Sequence, residues 1–236
     1  MDFSNRVAIV TGGTGAVGRV VAHEFAAAGA TVVVPYRREA AFTRLRAELG
    51  DLAARLEGQE TDVANESQVD QFVSTILSRH GRIDFLVNLA GGYAGGTFVS
   101  SGIDLWNRMF QTNLQTTLLM THAVLPHLLD RGAGRVVTVG SRNALEPAAN
   151  ASAYAASKAA VLAMTQSVAR EIRTSGVTIN CLAPSTINTE ANREAMPKGN
   201  PARWVQPSQL ASLILFLCSD AAAAINGVVI PIYGQL

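Results

Sequence analysis

Short β-branched runs with few polar residues recur along the chain: Val7 to Val10, Thr31 to Val34, Ile83 to Val87, Arg135 to Val139, Thr178 to Leu182 and Val228 to Ile232. A strand that is apolar on both faces must be covered on both faces, which is the situation in parallel sheets flanked by helices. The intervening segments, about Ala16 to Ala28, Glu39 to Leu49, Ser67 to Arg79, Asp104 to Leu129, Ser152 to Thr174 and Ser208 to Leu217, are patterned as helices. They are long enough to carry the chain from one parallel strand to the next. With a weaker strand at Arg55 to Glu60, the pattern predicts an α/β fold: a doubly wound, seven-stranded parallel sheet in three α/β/α layers.

At 236 residues and 48% hydrophobic, the chain is expected to form a single domain, residues 1–236. The alternation is interrupted once, between Thr186 and Gln206, where Pro197, Pro201, mixed charge and Trp204 suggest a lid. A net charge of +1 with scattered Lys and Arg gives no electrostatic footprint for nucleic acid or an anionic membrane, so a small-molecule partner is expected. No apolar run approaches the ~20 residues of a membrane-spanning helix. Cys181 and Cys218 have neither metal-site spacing nor a disulfide framework around them. A cytoplasmic location and no bound metal are the corresponding expectations.

The turn Thr11-Gly-Gly-Thr-Gly-Ala-Val-Gly18 follows the first strand and opens the first helix. Its glycines permit a tight bend and close approach of backbone to a pyrophosphate, which helix N-terminal amides then hold. That placement makes the sheet Rossmann-type and marks Gly12, Thr14, Gly15, Val17 and Gly18 as dinucleotide contacts. After the second strand, Tyr36 stands where an acid would read an NAD ribose, and Arg37 and Arg38 follow. A guanidinium can fork onto a 2′-phosphate, so NADP(H) is the preferred cofactor, with Arg37 as its main reader; NAD(H) remains possible.

Tyr154 and Lys158 are spaced i, i+4 at the start of a helix, which sets phenol and ammonium on one face. The positive charge is expected to pull the phenol below its ordinary value of ~10 and make it a proton donor and acceptor. Ser141, beyond the strand Arg135 to Val139, is placed to face the same crevice. Tyr93 and Trp204 are the aromatic candidates for contact with substrate.

The ordered set of Thr11 to Gly18, Asp62-Val63, Asn88 to Gly91, Asn113, Ser141, Tyr154 to Lys158, Pro184 to Thr189 and Ile225 to Gly227 resembles the short-chain dehydrogenase/reductase family. The resemblance implies hydride transfer to a carbonyl substrate, a ketone or a 3-oxoacyl group. Tyr154 would exchange the proton and Ser141 would bind the substrate oxygen. Lys158 would bind the nicotinamide ribose, and Asn113 would hold a water linking Lys158 to solvent. Asp62 and Val63 would touch adenine, and Asn88 and Ala90 would flank the ribose. Pro184, Ile187 and Thr189 would lie at the nicotinamide, the latter two on its carboxamide. It also implies a homotetramer or homodimer formed through the helix near Ser208 to Leu217 and the last strand.

Two positions depart from the family pattern. Ala16 and Gly15 exchange the usual place of the middle glycine, and Ser185 stands where glycine commonly follows Pro184. The segments Gly12 to Gly18 and Ala90 to Gly96, with Asn192-Arg193, Met196-Pro197 and Trp204, are locally similar to dihydropteridine reductases, which implies a heterocyclic quinonoid pterin as an alternative substrate. A dinucleotide-binding sensor without turnover is the alternative from another class.

Overall fold

The structure is a computed structural model that describes residues 1–235; Leu236, the last residue of the expected domain, lies outside the described residues. Strand β1 (Val7–Thr11) is buried at every position, as its unbroken apolar run requires. In chain order there follow α1 (Ala16–Ala27), β2 (Thr31–Tyr36), α2 (Glu39–Leu49), β3 (Leu56–Glu60), α3 (Glu66–His80), β4 (Phe85–Asn88), α4 (Ile103–Phe110) and α5 (Thr116–Asp130). The chain continues through β5 (Gly134–Val139), α6 (Arg142–Leu145), α7 (Ser152–Glu171), β6 (Val177–Pro184), α8 (Glu190–Ala195), α9 (Pro207–Cys218) and β7 (Val229–Ile232). The strands form one seven-stranded sheet in the order β3-β2-β1-β4-β5-β6-β7. All of its pairings are parallel.

The sheet separates two apolar layers. On one face Val21, Phe25, Leu45, Leu210 and Ile214 pack from α1, α2 and α9. On the other face Val69, Phe72, Ile76, Met120 and Val124 pack from α3 and α5. From β3 at the edge, the chain crosses back to place β4 beside β1. That reversal opens a crevice at the carboxyl ends of β1 and β4, the usual ligand position in such sheets. At the opposite end, buried Asp84 accepts from the Val7 amide and from Arg6, Arg82 and Arg131. This cluster fixes where β4 starts, two residues after the sequence pattern places it.

The single helix expected from Asp104 to Leu129 is instead α4 and α5 joined by a π-turn, Gln111–Gln115. Such a turn inserts an extra residue into the helical ladder and is frequent at functional sites. Here it carries Asn113 inward to complete burial. The expected lid is structured as well: α8 and a 3-10 turn, Pro201–Arg203, occupy it, and Ile187 pairs with Val205 across its base. Among the described residues, no helix is long and apolar enough to cross a membrane.

Candidate active site

Gly12 has φ +65°, and a Cβ there would lie 2.9 Å from the Ala90 nitrogen. A Cβ on Gly18 would run into the Gly12 carbonyl, so both positions exclude any side chain. Gly15 differs: it caps α1 in an extended conformation, and a Cβ would stand 3.2 Å from the Gly12 oxygen. No side chain caps α1, which leaves its first amides directed at the crevice, beside half-exposed Val17. This bare cradle fits a pyrophosphate. Thr11 binds it to the next strand, its hydroxyl accepting from both Leu89 and Ala90 amides at 3.1 Å. The sequence gives no sign of that link, because the partners lie far apart in the chain.

Beside the turn, Thr14, Arg19, Arg38 and Arg44 line an open cavity of about 330 Å³. Glu48 neutralises part of that wall by binding Arg19 and Arg44. Arg37 is exposed at the mouth of β2 and is not part of the wall. Tyr36 stacks on Phe42 at 4.7 Å, and a hydrogen bond with Glu39 pushes its phenol up to about 12, so it stays neutral. Asp62 uses one carboxylate oxygen to hold the Ala64 amide, and half-buried Val63 packs against the core. Asn88 is buried, donates to Thr121 at 3.0 Å and keeps an unpartnered Oδ1; the Thr61 hydroxyl is likewise buried without a partner. Half-exposed Ala90 lies at the end of β4.

The reacting groups converge next to this cradle. Ser141 caps α6, its Oγ accepting from the Asn143 amide at 3.2 Å, and its hydroxyl lies close enough to the Tyr154 phenol to influence its ionisation. Lys158, one turn beyond Tyr154 on α7, is buried and donates to the Val139 carbonyl at 2.8 Å. Asn113 Oδ1 accepts from Gly92 at 2.9 Å, and its Nδ2 donates to Ser157 Oγ at 3.1 Å. Ser157 in turn donates to the Tyr154 carbonyl at 2.8 Å. A Cβ on Gly91 would meet Asn113 Oδ1 at 2.9 Å and Lys158 Nζ at 3.3 Å, which shows how closely these side chains approach. The Asn113 side chain thus ties the loop after β4 to α7, a task the sequence does not reveal.

The electrostatics differ from the sequence expectation. Burial pushes the Tyr154 phenol up; the Ser141 hydroxyl opposes this and the neighbouring Tyr93 adds to it. Lys158 does not bring it below its ordinary value, because burial lowers the ammonium's own pKa to about 8 and Nζ is directed at Val139. The expected lowering of Tyr154 is therefore not produced by the protein's own groups.

Tyr93, 64% exposed, meets Tyr154 edge to face at 4.9 Å and forms a rim above it. Trp204, expected at the substrate, is 4% exposed and packs against Gly199 inside the lid. A stacking platform needs an open face, and Trp204 lacks one. Pro184 ends β6 and is buried, Ile187 sits in the bridge to Val205, and Thr189 caps α8 by accepting from Asn192 at 3.2 Å. Among the described residues, no group of His, Cys, Asp and Glu gathers as a metal site.

A Rossmann-type sheet with a glycine cradle and a Ser, Tyr and Lys cluster at its carboxyl edge defines an oxidoreductase scaffold. The family model for short chain dehydrogenases matches residues 6–200, and the chain belongs to that family. It is 34% identical to the 3-oxoacyl-[acyl-carrier-protein] reductase FabG of Vibrio harveyi, covering 100% of this chain and 99% of the other. It is 32% identical to the (2S)-[(R)-hydroxy(phenyl)methyl]succinyl-CoA dehydrogenase subunit BbsD of Thauera aromatica, covering 99% and 97%. The solved structure of ElxO with NADP bound superimposes with a TM-score of 0.92 at 26% identity, covering 97% of each chain. The protein is a short-chain oxidoreductase that binds a nicotinamide dinucleotide and acts on a small molecule.

Proposed function

We propose that this enzyme uses NADPH in preference to NADH to reduce a carbonyl substrate, a ketone or a 3-oxoacyl group. The observation that carries the reading is the convergence of Ser141, Tyr154 and Lys158 on the crevice beside the Gly12 and Gly18 cradle. The nicotinamide supplies the hydride when bound. Ser141 holds the substrate oxygen, Tyr154 protonates it, and Lys158 holds ribose hydroxyls near the phenol. Asn113 fixes α7 and the Gly91-Gly92 loop so that these groups stay aligned.

Arg37 and Arg38, exposed where an acid would favour NAD, support the phosphate-bearing cofactor. Arg38 shares a cavity with Thr14 of the turn, so it is assigned to the 2′-phosphate beside Arg37. Asp62, Val63, Asn88 and Ala90 form the adenosine side, and Pro184, Ile187 and Thr189 the nicotinamide side. A 3-oxoacyl substrate is supported by the relative from Vibrio harveyi. The open face of Tyr93 favours a second reading, reduction of a flat quinonoid pterin. Buried free Cys181 and Cys218 suit a reducing compartment such as the cytoplasm. The edge position of β7 suits pairing of copies as a homodimer or homotetramer.

The test follows absorbance of NADPH and NADH with ketones, 3-oxoacyl thioesters and a quinonoid dihydropterin. Faster NADPH consumption with the carbonyl compounds is expected, together with a selective rise in KM for NADPH in Arg37→Ala and Arg38→Ala. Consumption with the pterin alone supports the second reading, and cofactor binding without any consumption assigns the chain to the sensors.

A further inference from the structure

The three residues after β7 reach both walls of the substrate side. Tyr233 donates its phenol to Glu146 Oε1 at 3.1 Å, and Arg142 lies over the Tyr233 ring at 4.8 Å. Arg142 Nε also binds Glu146 Oε2 at 2.8 Å, so Tyr233, Arg142 and Glu146 close one cluster. Arg142 and Glu146 flank the single turn of α6, whose N-cap is Ser141. The other side of the segment holds the lid. The Ser185 hydroxyl donates to the Tyr233 carbonyl at 2.8 Å, where the lid begins. Gln235 donates its amide to the Arg203 carbonyl at 2.8 Å, and the Arg203 guanidinium returns bonds of 2.7 and 3.1 Å to the Gln235 carbonyl, where the lid ends.

We propose that Tyr233 is a positioning residue, and that residues 233–235 act as a strap coupling helix α6, and with it Ser141, to the lid at 186–206. Ser185 is explained in the same terms, since its hydroxyl fastens the strap where glycine would offer none. The cofactor cradle has no part in these contacts. Loosening the strap therefore weakens binding of substrate and leaves the dinucleotide site as it was. This inference rests on the reading of Ser141 and the lid as the substrate side, so its first measurement is independent of turnover.

A structural role confined to either end predicts only local effects, whereas a strap predicts effects at the far end. In the full-length protein, Tyr233→Ala should speed hydrogen exchange at the Asn188 and Val205 amides, which lie in the lid. Arg203→Ala should speed exchange at the Ala144 and Glu146 amides, which lie in and after α6. Amides of β1 and α1 should be unchanged in both variants. With a turned-over substrate, each variant should raise its KM roughly three- to tenfold, the range expected from losing a hydrogen bond or two, with cofactor affinity within about twofold. The double variant should do little more than the larger single change, because one connection is cut twice. Tyr233→Phe, which keeps the ring under Arg142, should recover part of the Ala effect.

Exchange that changes only at the mutated end, or equally throughout the chain, overturns the strap; so does a double variant whose KM effects multiply. If no substrate is found, the exchange result still decides the strap, and the assigned activity fails separately. Should Tyr233→Ala not fold, Ser185→Ala cuts the same segment from the lid and is read by the same exchange at Ala144 and Glu146.

Discussion

At the glycine turn of the crevice the chain presents backbone, whereas at the rim beside Tyr154 it presents side chains. Gly12 and Gly18 leave no space for a Cβ, and the Thr11 hydroxyl locks the turn against the amides of Leu89 and Ala90. On the other side, Tyr93, Phe98, Val99 and Ile103 are largely exposed in or next to the loop that follows β4. Close packing of backbone restricts which residue is tolerated. An exposed side chain is restricted only by the ligand it meets. The first wall should therefore be intolerant of small changes and common to many relatives in its chemistry, while the second sets which carbonyl compound is accepted.

Tyr154 stands where the two walls meet, and it provides the largest expected effect. Tyr154→Phe removes only the hydroxyl that Ser141 contacts and leaves the ring against Tyr93. Turnover should fall about 10²- to 10⁴-fold, the usual contribution of a general acid. Cofactor affinity, measured by fluorescence titration, should stay within about twofold. Substantial remaining turnover would remove Tyr154 from the chemistry, and a large loss of cofactor affinity would mean that the two walls are not separable at this residue.

The two flanking glycines test the backbone wall more finely. Gly18→Ala drives a methyl group into the Gly12 carbonyl, and relief requires the turn to move. Overpacking of this kind costs ~1–3 kcal/mol, so cofactor affinity should fall roughly tenfold or more. Gly15→Ala introduces a contact at 3.2 Å from the same oxygen, at an ordinary backbone angle, and should change affinity by less than about threefold. Equal effects at both positions would show that the cradle is not held by close backbone packing.

The same contrast explains how much was legible in the residues. Fully apolar strands can be buried in only one way, so the sheet and its crossovers follow from Val7 to Val10 and its counterparts. Local spacing also brings Tyr154 and Lys158 to one face. What escaped are consequences of long-range packing. The π-turn at Asn113 has no local pattern, and its purpose appears only when Gly92 and Ser157 arrive on either side. The burial of Trp204 depends on Gly199 and on the fold of the lid, neither of which periodicity predicts. Arg38, the N-cap of α2, lines the cavity beside the glycine turn, and Arg37 does not. The Tyr154 phenol is raised because desolvation, invisible in the spacing of charged residues, outweighs the lowering by Ser141.

That desolvation also gives the smallest expected effect, a dependence on pH set by Lys158. Burial lowers its pKa from 10.5 to about 8. Below about pH 8 the folded protein carries the ammonium, and above it the charge proposed to bind ribose hydroxyls is lost. The rate of carbonyl reduction at limiting cofactor should thus be halved near pH 8 and continue to fall as pH rises. Stability has the opposite slope. Between about pH 8 and 10.5 the unfolded chain still holds the proton that the folded chain has released. Proton uptake then accompanies unfolding, so this residue's contribution makes the fold more stable as pH rises through that window. Lys158→Met should remove that stability slope in denaturant titrations and raise stability most below about pH 8, where the buried charge is present. If the variant shows the same slope as the parent between those pH values, Lys158 is not the group that burial has made acidic.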